Sequence, residues 1–409
     1  MSKIRIKNFG PIRDGFIDND GWLDIKKVTV LIGNQGSGKS TVAKLISIFS
    51  WLEKDLFRAG GLSLKFHQHE STFKHLLEYH RIENYLNNNT EILYKGDAYN
   101  LTYKAGQNLD IQEISDNNYT LPKITYFPAE RNFVSSVKKI NEGAYLRLWS
   151  QSLQEFKEIF QEAKVNFKER EPHHLPISNV DIEYNRLNDM LYVKGNDYKI
   201  PLSDTASGFQ SYIPLFVVVN YVSRLLKSGQ EMREDHREYF KKQSAAILNN
   251  ESYTEEQKRI LLSNIAAQFN IKRIFNIIEE PEQNLFPTSQ QGMLNKLLEF
   301  NNDVMGNNLI ITTHSPYIIG YLTLAIKAYE LYNKAEKEDV IKQINEIVPL
   351  KSAVCHQDVI IYELDENDGT IRELGSYKGI PSSKNYLNRE LAEKNELYSK
   401  LLDIEDLCQ

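Results

Sequence analysis

The pattern of apolar and polar residues predicts strands and helices that alternate along most of the chain. Residues 3–9 alternate apolar and polar positions, which is typical of a half-buried strand. Residues 22–32 end in the β-branched run VTVLI, which predicts a buried central strand. A glycine-rich break follows at 33–38, and from Ser40 onward the apolar positions recur at helical spacing. The order predicted here is strand, glycine loop, helix.

The rest of the chain continues this alternation. Further strands are predicted at 91–95, 98–104, 124–127, 274–280, 308–316, 358–364 and 370–374, with a hairpin at 180–200. Helices are predicted at 71–86, 143–168, 209–227, 288–300, 383–394 and 396–407. The charged, helix-prone stretch 228–270 is interpreted as an inserted helical pair that faces solvent. Interleaved strands and helices favour an α/β fold.

Composition narrows the class of protein. The chain has 409 residues, 41% hydrophobic and 25% charged, which is ordinary for a globular protein. It has no run of about 18 apolar residues and no apolar leader at its first residues, so neither a membrane span nor a secretory signal is expected. Two cysteines, Cys355 and Cys408, favour a reducing compartment, and we expect a cytoplasmic protein. The net charge of −6 gives no support for general nucleic-acid binding, although a local basic patch would still allow DNA.

The glycine loop carries the clearest chemical signal. GNQGSGKST, residues 33–41, matches G-x-x-x-x-G-K-[ST] between a predicted strand and a predicted helix. In such a loop the backbone N–H groups cradle phosphate oxygens, the lysine reaches the β- and γ-phosphates, and the hydroxyl after it ligates Mg²⁺. The alternative is a simple glycine-rich turn. The predicted nucleotide-binding residues are Gly33, Asn34, Gln35, Gly36, Ser37, Gly38, Lys39, Ser40 and Thr41, with Ser40 also a metal ligand.

An acidic pair follows the apolar strand at 274–280. The sequence IFNIIEEPE places Glu279 and Glu280 at the strand's end, where desolvation and mutual repulsion oppose two carboxylates. A bound cation and a nearby lysine would relieve that cost. We predict Glu279 as the Mg²⁺-side carboxylate and Glu280 as the general base that activates water. The alternative is an acidic turn exposed to solvent.

Two further motifs are candidates for the same site. IITTHSP places His314 at the end of an apolar strand, where it could hydrogen-bond a phosphate or the attacking water; a structural histidine is the alternative. TASGFQS, residues 205–211, offers a serine and a glycine at a helix N-terminus, which suits either a second anion site or an ordinary N-cap formed by Ser207.

Other polar residues give weaker signals. The stretch 66–80 holds four histidines, but His75 and His80 are five apart and do not share a helix face, so ordinary roles are favoured over a metal site. Glu130 and Arg131, in YFPAERN, could orient water or contact phosphate, and an ordinary ion pair is the alternative.

Taken together, these motifs resemble ABC-type ATPase heads of the SMC/RecF/OLD branch. IIEEPEQNLFP, IITTHSPY and YFPAERN look most like bacterial AAA-type ATP-binding proteins related to OLD and to phage-defence ATPases of the Septu and PARIS type. The resemblance covers residues 1–60 and 120–335. It implies a P-loop NTPase of the ABC/SMC-head type, with a mixed sheet, flanking helices, an antiparallel β subdomain and an inserted helical subdomain.

The resemblance also implies a domain plan and partners. An N-terminal lobe would span 1–60, a β-rich and helical subdomain 61–205, a C-terminal lobe 206–335, and closing strands and helices 336–409. Two heads would sandwich two ATP molecules, so that Ser207, Gly208 and Gln210 of one subunit contact the nucleotide of the other. ATP and Mg²⁺ are the implied cofactors. The homodimer would then control a protein effector or nuclease in phage defence.

The sequence departs from this pattern in three ways. Glu279 stands where an aspartate is usual, the serine motif lacks the transporter-style leucine-serine-glycine-glycine, and no toprim nuclease spacing follows His314. A RecF-like DNA repair or DNA-sensing ATPase, a transporter ATPase subunit and a nucleotide switch with little turnover remain as alternatives.

Overall fold

The computed structural model describes residues 2–58, 67–115, 119–136, 149–167, 173–228 and 271–407, with isolated residues between 244 and 258. The insertion predicted at 228–270 therefore lies almost entirely outside the described residues. The same holds for the first part of the helix predicted at 143–168, and for Cys408.

A seven-stranded mixed sheet forms the centre of the fold. Its strands, in spatial order, are Gly15–Phe16, Thr370–Glu373, Val359–Leu364, Val28–Gly33, Asn308–Thr313, Arg273–Glu279 and Pro122–Phe127. The last five of these run parallel to one another, and Thr370–Glu373 pairs antiparallel with Val359–Leu364. Because parallel neighbours present their carboxyl ends at one edge, residues that follow several strands are gathered there.

Smaller antiparallel sheets flank this centre. The five-stranded sheet has the order Leu23–Asp24, Lys3–Lys7, Glu91–Lys95, Tyr99–Lys104, Asp110–Glu113. The four-stranded sheet has the order Lys199–Pro201, Met190–Lys194, Asp181–Asn185, His173–His174. A two-stranded ribbon pairs Ser376–Tyr377 with Ile380–Pro381. In the five-stranded and four-stranded sheets, buried and more exposed residues alternate along the main strands, so that one face of each sheet lies in the core.

Helices pack on both faces of the central sheet. The α-helices with both ends in the described residues include Lys39–Arg58, Glu70–Tyr79, Phe133–Ser136, Gln151–Val165, Ser207–Ser228, Pro287–Asn302, Pro316–Tyr332, Glu338–Ile347 and Tyr386–Leu407. The predicted pair at 383–394 and 396–407 is wrong, because Tyr386–Leu407 is one continuous helix. The helix predicted at 71–86 ends at Tyr79, where Arg81 turns to a φ of 55°.

The core is divided by the central sheet. Val28, Val30 and Ile32 belong to a cluster shared with the helices Ser207–Ser228 and Pro287–Asn302. Leu31, on the opposite face, belongs to a cluster shared with the helix Lys39–Arg58 and the five-stranded sheet. This alternation is the reason four of the five residues at 28–32 are apolar, since side chains on both faces of the strand enter a core. The α/β class and the mixed sheet with an antiparallel subdomain are confirmed, and the central sheet draws strands from all four predicted regions.

Candidate active site

The glycine loop joins the central strand Val28–Gly33 to the helix that begins at Lys39. Gly36 and Gly38 have φ of 78° and 97°, and a Cβ on Gly38 would lie 2.5 Å from Ile12 Cδ1. Both positions therefore need glycine, one for its backbone conformation and the other also for space. The loop is held in a conformation that leaves Asn34, Gln35 and Gly36 exposed.

The ammonium of Lys39 lies inside this loop. Its Nζ donates to Gly33 O at 2.9 Å, to Asn34 O at 2.7 Å and to Ser37 Oγ at 3.4 Å. Burial lowers the pKa of Lys39 to about 8, while the charges of Glu280, Glu282, Glu366 and Glu279 oppose that change. The loop lysine and the acidic strand end are thus close enough to interact electrostatically. Ser40 is half-buried and Thr41 buried on the first helical turn.

One acidic residue at the loop was missed by the sequence reasoning. Glu366 Oε1 accepts a hydrogen bond from Asn34 Nδ2 at 2.9 Å and another from the Tyr386 hydroxyl at 3.1 Å. The C-terminal part of the chain therefore touches the glycine loop. The sequence carries no signal for this contact, because Glu366 follows a distant strand that only the sheet order places beside Val28–Gly33.

Glu279 is the last residue of its strand and is 5% exposed. The Tyr126 hydroxyl, from the neighbouring parallel strand, donates to its Oε1. Burial raises the pKa of Glu279, and the charge of Lys44 partly offsets that effect. A cation bound beside Glu279 would stabilise the charged form of this buried carboxylate. The hydroxyl of Ser40 and the Glu279 carboxylate are hard oxygen ligands that suit Mg²⁺, which commonly takes one or two protein ligands together with water and phosphate.

Glu280 leaves the strand in a left-handed conformation, with φ of 43°. Its N–H donates to Thr312 O at 3.0 Å, and its Oε1 lies 3.3 Å from Nε2 of His314. The hydrogen bond from His314 lowers the pKa of Glu280, with further contributions from the charges of Lys39 and Arg131. The structure therefore brings together Glu280 and His314, the two predicted catalytic residues.

Glu282 holds the histidine loop in place. Its Oε1 accepts from Thr313 Oγ1 at 2.7 Å and from the backbone N–H of His314 at 2.9 Å. Burial raises the pKa of Glu282, whose side chain is almost fully enclosed. This glutamate belongs to the IFNIIEEPE motif, in which the sequence predicted functional roles for Glu279 and Glu280 only. Its contact with the segment after the adjacent strand needs the tertiary fold.

Arg131 is fully buried and binds main-chain oxygens at the site. Its Nη1 donates to Glu279 O at 2.6 Å and its Nη2 to Glu280 O at 2.7 Å. Its Nε donates to Ser211 O at 3.1 Å. Neither of the two roles considered for Arg131, a phosphate contact or an ordinary ion pair, matches these contacts, because its hydrogen-bond partners are backbone carbonyl groups. Burial lowers its pKa to about 10, and nearby glutamates oppose that change.

The serine motif starts the helix Ser207–Ser228. Backbone N–H groups of Phe209 and Gln210 donate to Ala206 O, so Ala206 occupies the cap position and Ser207 is the first helical residue. The N-cap role weighed for Ser207 is therefore wrong. Ser207 is exposed, whereas the Gln210 amide donates to Ser203 O at 3.0 Å and Thr205 O at 2.9 Å. Gln210 thus closes the turn before the helix, and a role of Gln210 in binding nucleotide stays a prediction.

The histidines between 66 and 80 have separate surroundings. His67 Nε2 lies 2.8 Å from Asp55, and His75 Nδ1 lies 2.9 Å from Glu78. His80 packs against Tyr126, and burial lowers its pKa to about 3. Across the described ranges no group of three or more His, Cys, Asp or Glu side chains could hold a metal ion.

Residues 28–320 match a family model described as "AAA domain, putative AbiEii toxin, Type IV TA system". The match spans more than half of the chain and contains the glycine loop, the glutamate pair and His314. The chain belongs to this AAA family. It is accordingly a P-loop NTPase of the AAA type.

Solved structures that match this AAA protein include SMC heads and ABC cassettes. The SMC head domain from Thermotoga maritima is 9% identical with a TM-score of 0.37 and covers 92% of this chain and 98% of its own. The Pyrococcus furiosus Smc head bound to the C-terminal domain of ScpA is 11% identical and has a TM-score of 0.35. The match covers 97% of this chain and 100% of that head. A nucleotide-free ATP-binding cassette from an ABC transporter is 11% identical, with a TM-score of 0.27 and 93% of each chain covered.

These TM-scores lie below 0.5, so the assignment of the chain to the AAA family rests on the family match and on the residues of the site. No curated protein matches the chain. None of the helices in the described part of the AAA protein combines the length and the apolar character needed to cross a membrane.

Proposed function

We propose that this AAA protein is a Mg²⁺-dependent ATPase that converts ATP and water to ADP and phosphate. The observation that carries the proposal is the contact between Glu280 and His314, 3.3 Å apart, at the sheet edge that also holds the Lys39 loop. An ionised carboxylate can activate the attacking water, and a buried ammonium within electrostatic reach can neutralise phosphate charge; both roles recur in phosphoryl transfer to water.

The glycine loop supplies the binding step. Lys39 would exchange its contacts with Gly33 O and Asn34 O for phosphate oxygens, and its charge would offset theirs. The N–H groups at the start of the helix Lys39–Arg58 would point at the same phosphates. Ser40 and Glu279 would hold Mg²⁺, which would neutralise the negative charge that develops on the phosphate groups.

Glu280 supplies the chemical step. Its depressed pKa keeps it ionised at neutral pH, so it can accept a proton from an attacking water. The water oxygen forms a bond to the γ-phosphorus, the bond from that phosphorus to the bridging oxygen breaks, and ADP departs with the bonding pair. His314 would orient Glu280 through their contact and would donate to the transferred phosphate.

Ser207 supports a role between two subunits. It is exposed at the first turn of its helix, where an anion from another molecule could reach its hydroxyl and the helix N-terminus. Each subunit of an ATP-bound homodimer would then place Ser207 and Gly208 against the nucleotide held by the other. ATP binding would close the dimer and hydrolysis would open it.

The biological role proposed is control of a partner effector, for example a nuclease, in phage defence within the cytoplasm. The description of the family refers to a toxin–antitoxin system, which fits a chain that acts with a second component. A DNA-directed role remains the alternative outcome. Stimulation of hydrolysis by DNA, measured alongside the intrinsic rate, would favour that alternative.

The deciding experiment is the molar mass of the Glu280→Gln protein, measured by light scattering with and without ATP and Mg²⁺. Loss of a general base slows hydrolysis by about 10²- to 10⁴-fold but leaves binding groups in place, so the closed state should accumulate. We expect the mass to double only with nucleotide.

A Ser207→Arg change in the same background is the control. The larger, charged side chain would block the subunit contact while the Lys39 loop stays intact, so ATP should bind without doubling the mass. A mass that does not respond to ATP in the Glu280→Gln protein would contradict the sandwich dimer.

A further inference from the structure

We infer that Arg131 is a positioning residue that couples the serine turn, residues 207–211, to the backbone that carries Glu280. This inference rests on the proposed ATPase and dimer. Its starting point is the placement of one fully buried guanidinium between two functional segments. Arg131 donates to Ser211 O on one side and to Glu279 O and Glu280 O on the other.

The partners of Arg131 show that it positions the backbone. Its Nη1 and Nη2 bind two consecutive carbonyls at 2.6 and 2.7 Å while its Nε binds Ser211 O at 3.1 Å, and the planar fork of arginine fixes all three contacts in one geometry that the rotating ammonium of lysine does not reproduce. One of these carbonyls belongs to Glu280, whose φ of 43° is costly for a residue other than glycine. The guanidinium thus stabilises the conformation that directs the Glu280 side chain to His314.

The serine turn is tied to the same segments by further contacts. Ser135 Oγ, four residues after Arg131, donates to Gln210 O at 2.8 Å. Asn284 Nδ2, from the loop after Glu280, donates to Ser211 Oγ at 3.1 Å. A Cβ on Gly208 would lie 2.8 Å from Asn284 O, so the turn and this loop are in close contact. A displacement of the turn must therefore move the groups that hold Glu280.

This arrangement connects the two ATP sites of the proposed dimer. Ser207 of a subunit contacts the nucleotide held by the other subunit, whereas Glu280 of that first subunit acts on its own nucleotide. Arg131 joins the serine turn to Glu280 within one chain. Contact of Ser207 with the nucleotide of the other subunit therefore sets the position of Glu280 at the nucleotide of its own subunit. Hydrolysis should then depend cooperatively on ATP concentration, with a Hill coefficient greater than one.

The test compares ATP hydrolysis and ATP binding in Arg131→Lys and in two serine variants. Arg131→Lys keeps the charge but loses the planar fork that holds Ser211 O and the Glu279 and Glu280 carbonyls at the same time. We expect the Kd for a fluorescent ATP analogue to stay unchanged, kcat to fall about 10- to 100-fold, as for a small misplacement of a catalytic group, and the Hill coefficient to fall to one.

The serine variants cover the case in which Arg131→Lys does not fold. Ser135→Ala removes only the hydroxyl that tethers Gln210 O and should lower kcat and the Hill coefficient in the same direction, by less. Ser203→Ala is the matched control, since its hydroxyl bonds the exposed Asp204 side chain and touches neither Arg131 nor the turn's carbonyls. It should behave as wild type.

The outcomes separate this inference from the proposed function. A wild-type protein that neither binds nor hydrolyses ATP overturns the proposed function. A wild-type protein that hydrolyses ATP with a Hill coefficient of one overturns the coupling alone. A folded Arg131→Lys protein with wild-type kcat and Hill coefficient overturns it as well, and if that variant does not fold, wild-type behaviour of Ser135→Ala does so.

Discussion

His314 Nε2 lies 3.3 Å from Glu280 Oε1, across the ends of two adjacent parallel strands. Glu280 follows Arg273–Glu279 and His314 follows Asn308–Thr313, and these strands pair so that Glu279 lies opposite Thr312. The contact is therefore set by strand register, which is well determined in a sheet buried on both faces. Its chemical effect is to lower the pKa of Glu280 and keep the carboxylate ionised.

Removal of this contact should change the pH dependence of hydrolysis. His314→Ala takes away the donor that lowers the pKa of Glu280, so that pKa should rise and the acidic limb of the kcat profile should move to higher pH. His314→Gln keeps a hydrogen-bond donor but no titratable ring, and its limb should move less. Steady-state kcat from about pH 3.5 to 8, with unfolding monitored at the acidic end, measures both. Equal acidic limbs in all three proteins would contradict the role of His314.

ATP affinity should fall as pH rises above neutrality. Lys39 has a pKa of about 8 and is charged below it, and phosphate binding favours the charged form. Above pH 8, binding must therefore take up a proton, so affinity should drop by up to about tenfold per pH unit. Titration of a fluorescent ATP analogue between pH 7 and 9.5 measures this loss.

Lys39→Arg is the control for that pH effect. Arginine stays charged throughout this range, so the variant should bind more weakly overall, owing to its different shape, but without the decline above pH 8. A decline of equal steepness in Lys39→Arg would assign the effect to another group.

Glu282 should matter for stability through its hydrogen bonds. Glu282→Ala leaves the Thr313 hydroxyl and the His314 N–H without their acceptor, at a cost of about 1–3 kcal/mol in the free energy of unfolding. Glu282→Gln keeps an oxygen at that position and should unfold close to wild type. Urea denaturation compares the three proteins, and a loss in Glu282→Gln as large as that in Glu282→Ala would show that the negative charge matters.

Gly208 and Gly320 should respond in opposite directions to alanine. Both lie in helices, but a Cβ on Gly208 meets Asn284 O at 2.8 Å, whereas a Cβ on Gly320 meets no atom within 4 Å. Gly208→Ala should lower the free energy of unfolding by about 1–3 kcal/mol through overpacking. Gly320→Ala should raise it by about 0.5–1 kcal/mol through helix propensity. Thermal unfolding measures both, and a stabilised Gly208→Ala protein would contradict the close contact.

Much of the local structure follows from the sequence. The strands predicted at 274–280 and 308–316 lie at Arg273–Glu279 and Asn308–Thr313, and the helix predicted from Ser40 begins at Lys39. These elements are strongly apolar or periodic and bounded by glycine, proline or charge, so neighbours along the chain suffice to specify them. The helices at the end of the chain were predicted less well. Periodicity alone does not show whether a polar helix is interrupted, and the two predicted helices form the single helix Tyr386–Leu407.

The sequence by itself determined the candidate residues for the proposed chemistry: the Lys39 loop, the glutamate pair and His314 are recognisable from residue type and spacing. Only the tertiary structure decided how they act together. The strand order brings Glu280 to His314, places Glu366 at the glycine loop and encloses Arg131 among backbone carbonyls. Such contacts join residues far apart in the chain, and their energies depend on burial and on distances between atoms, which no local pattern encodes.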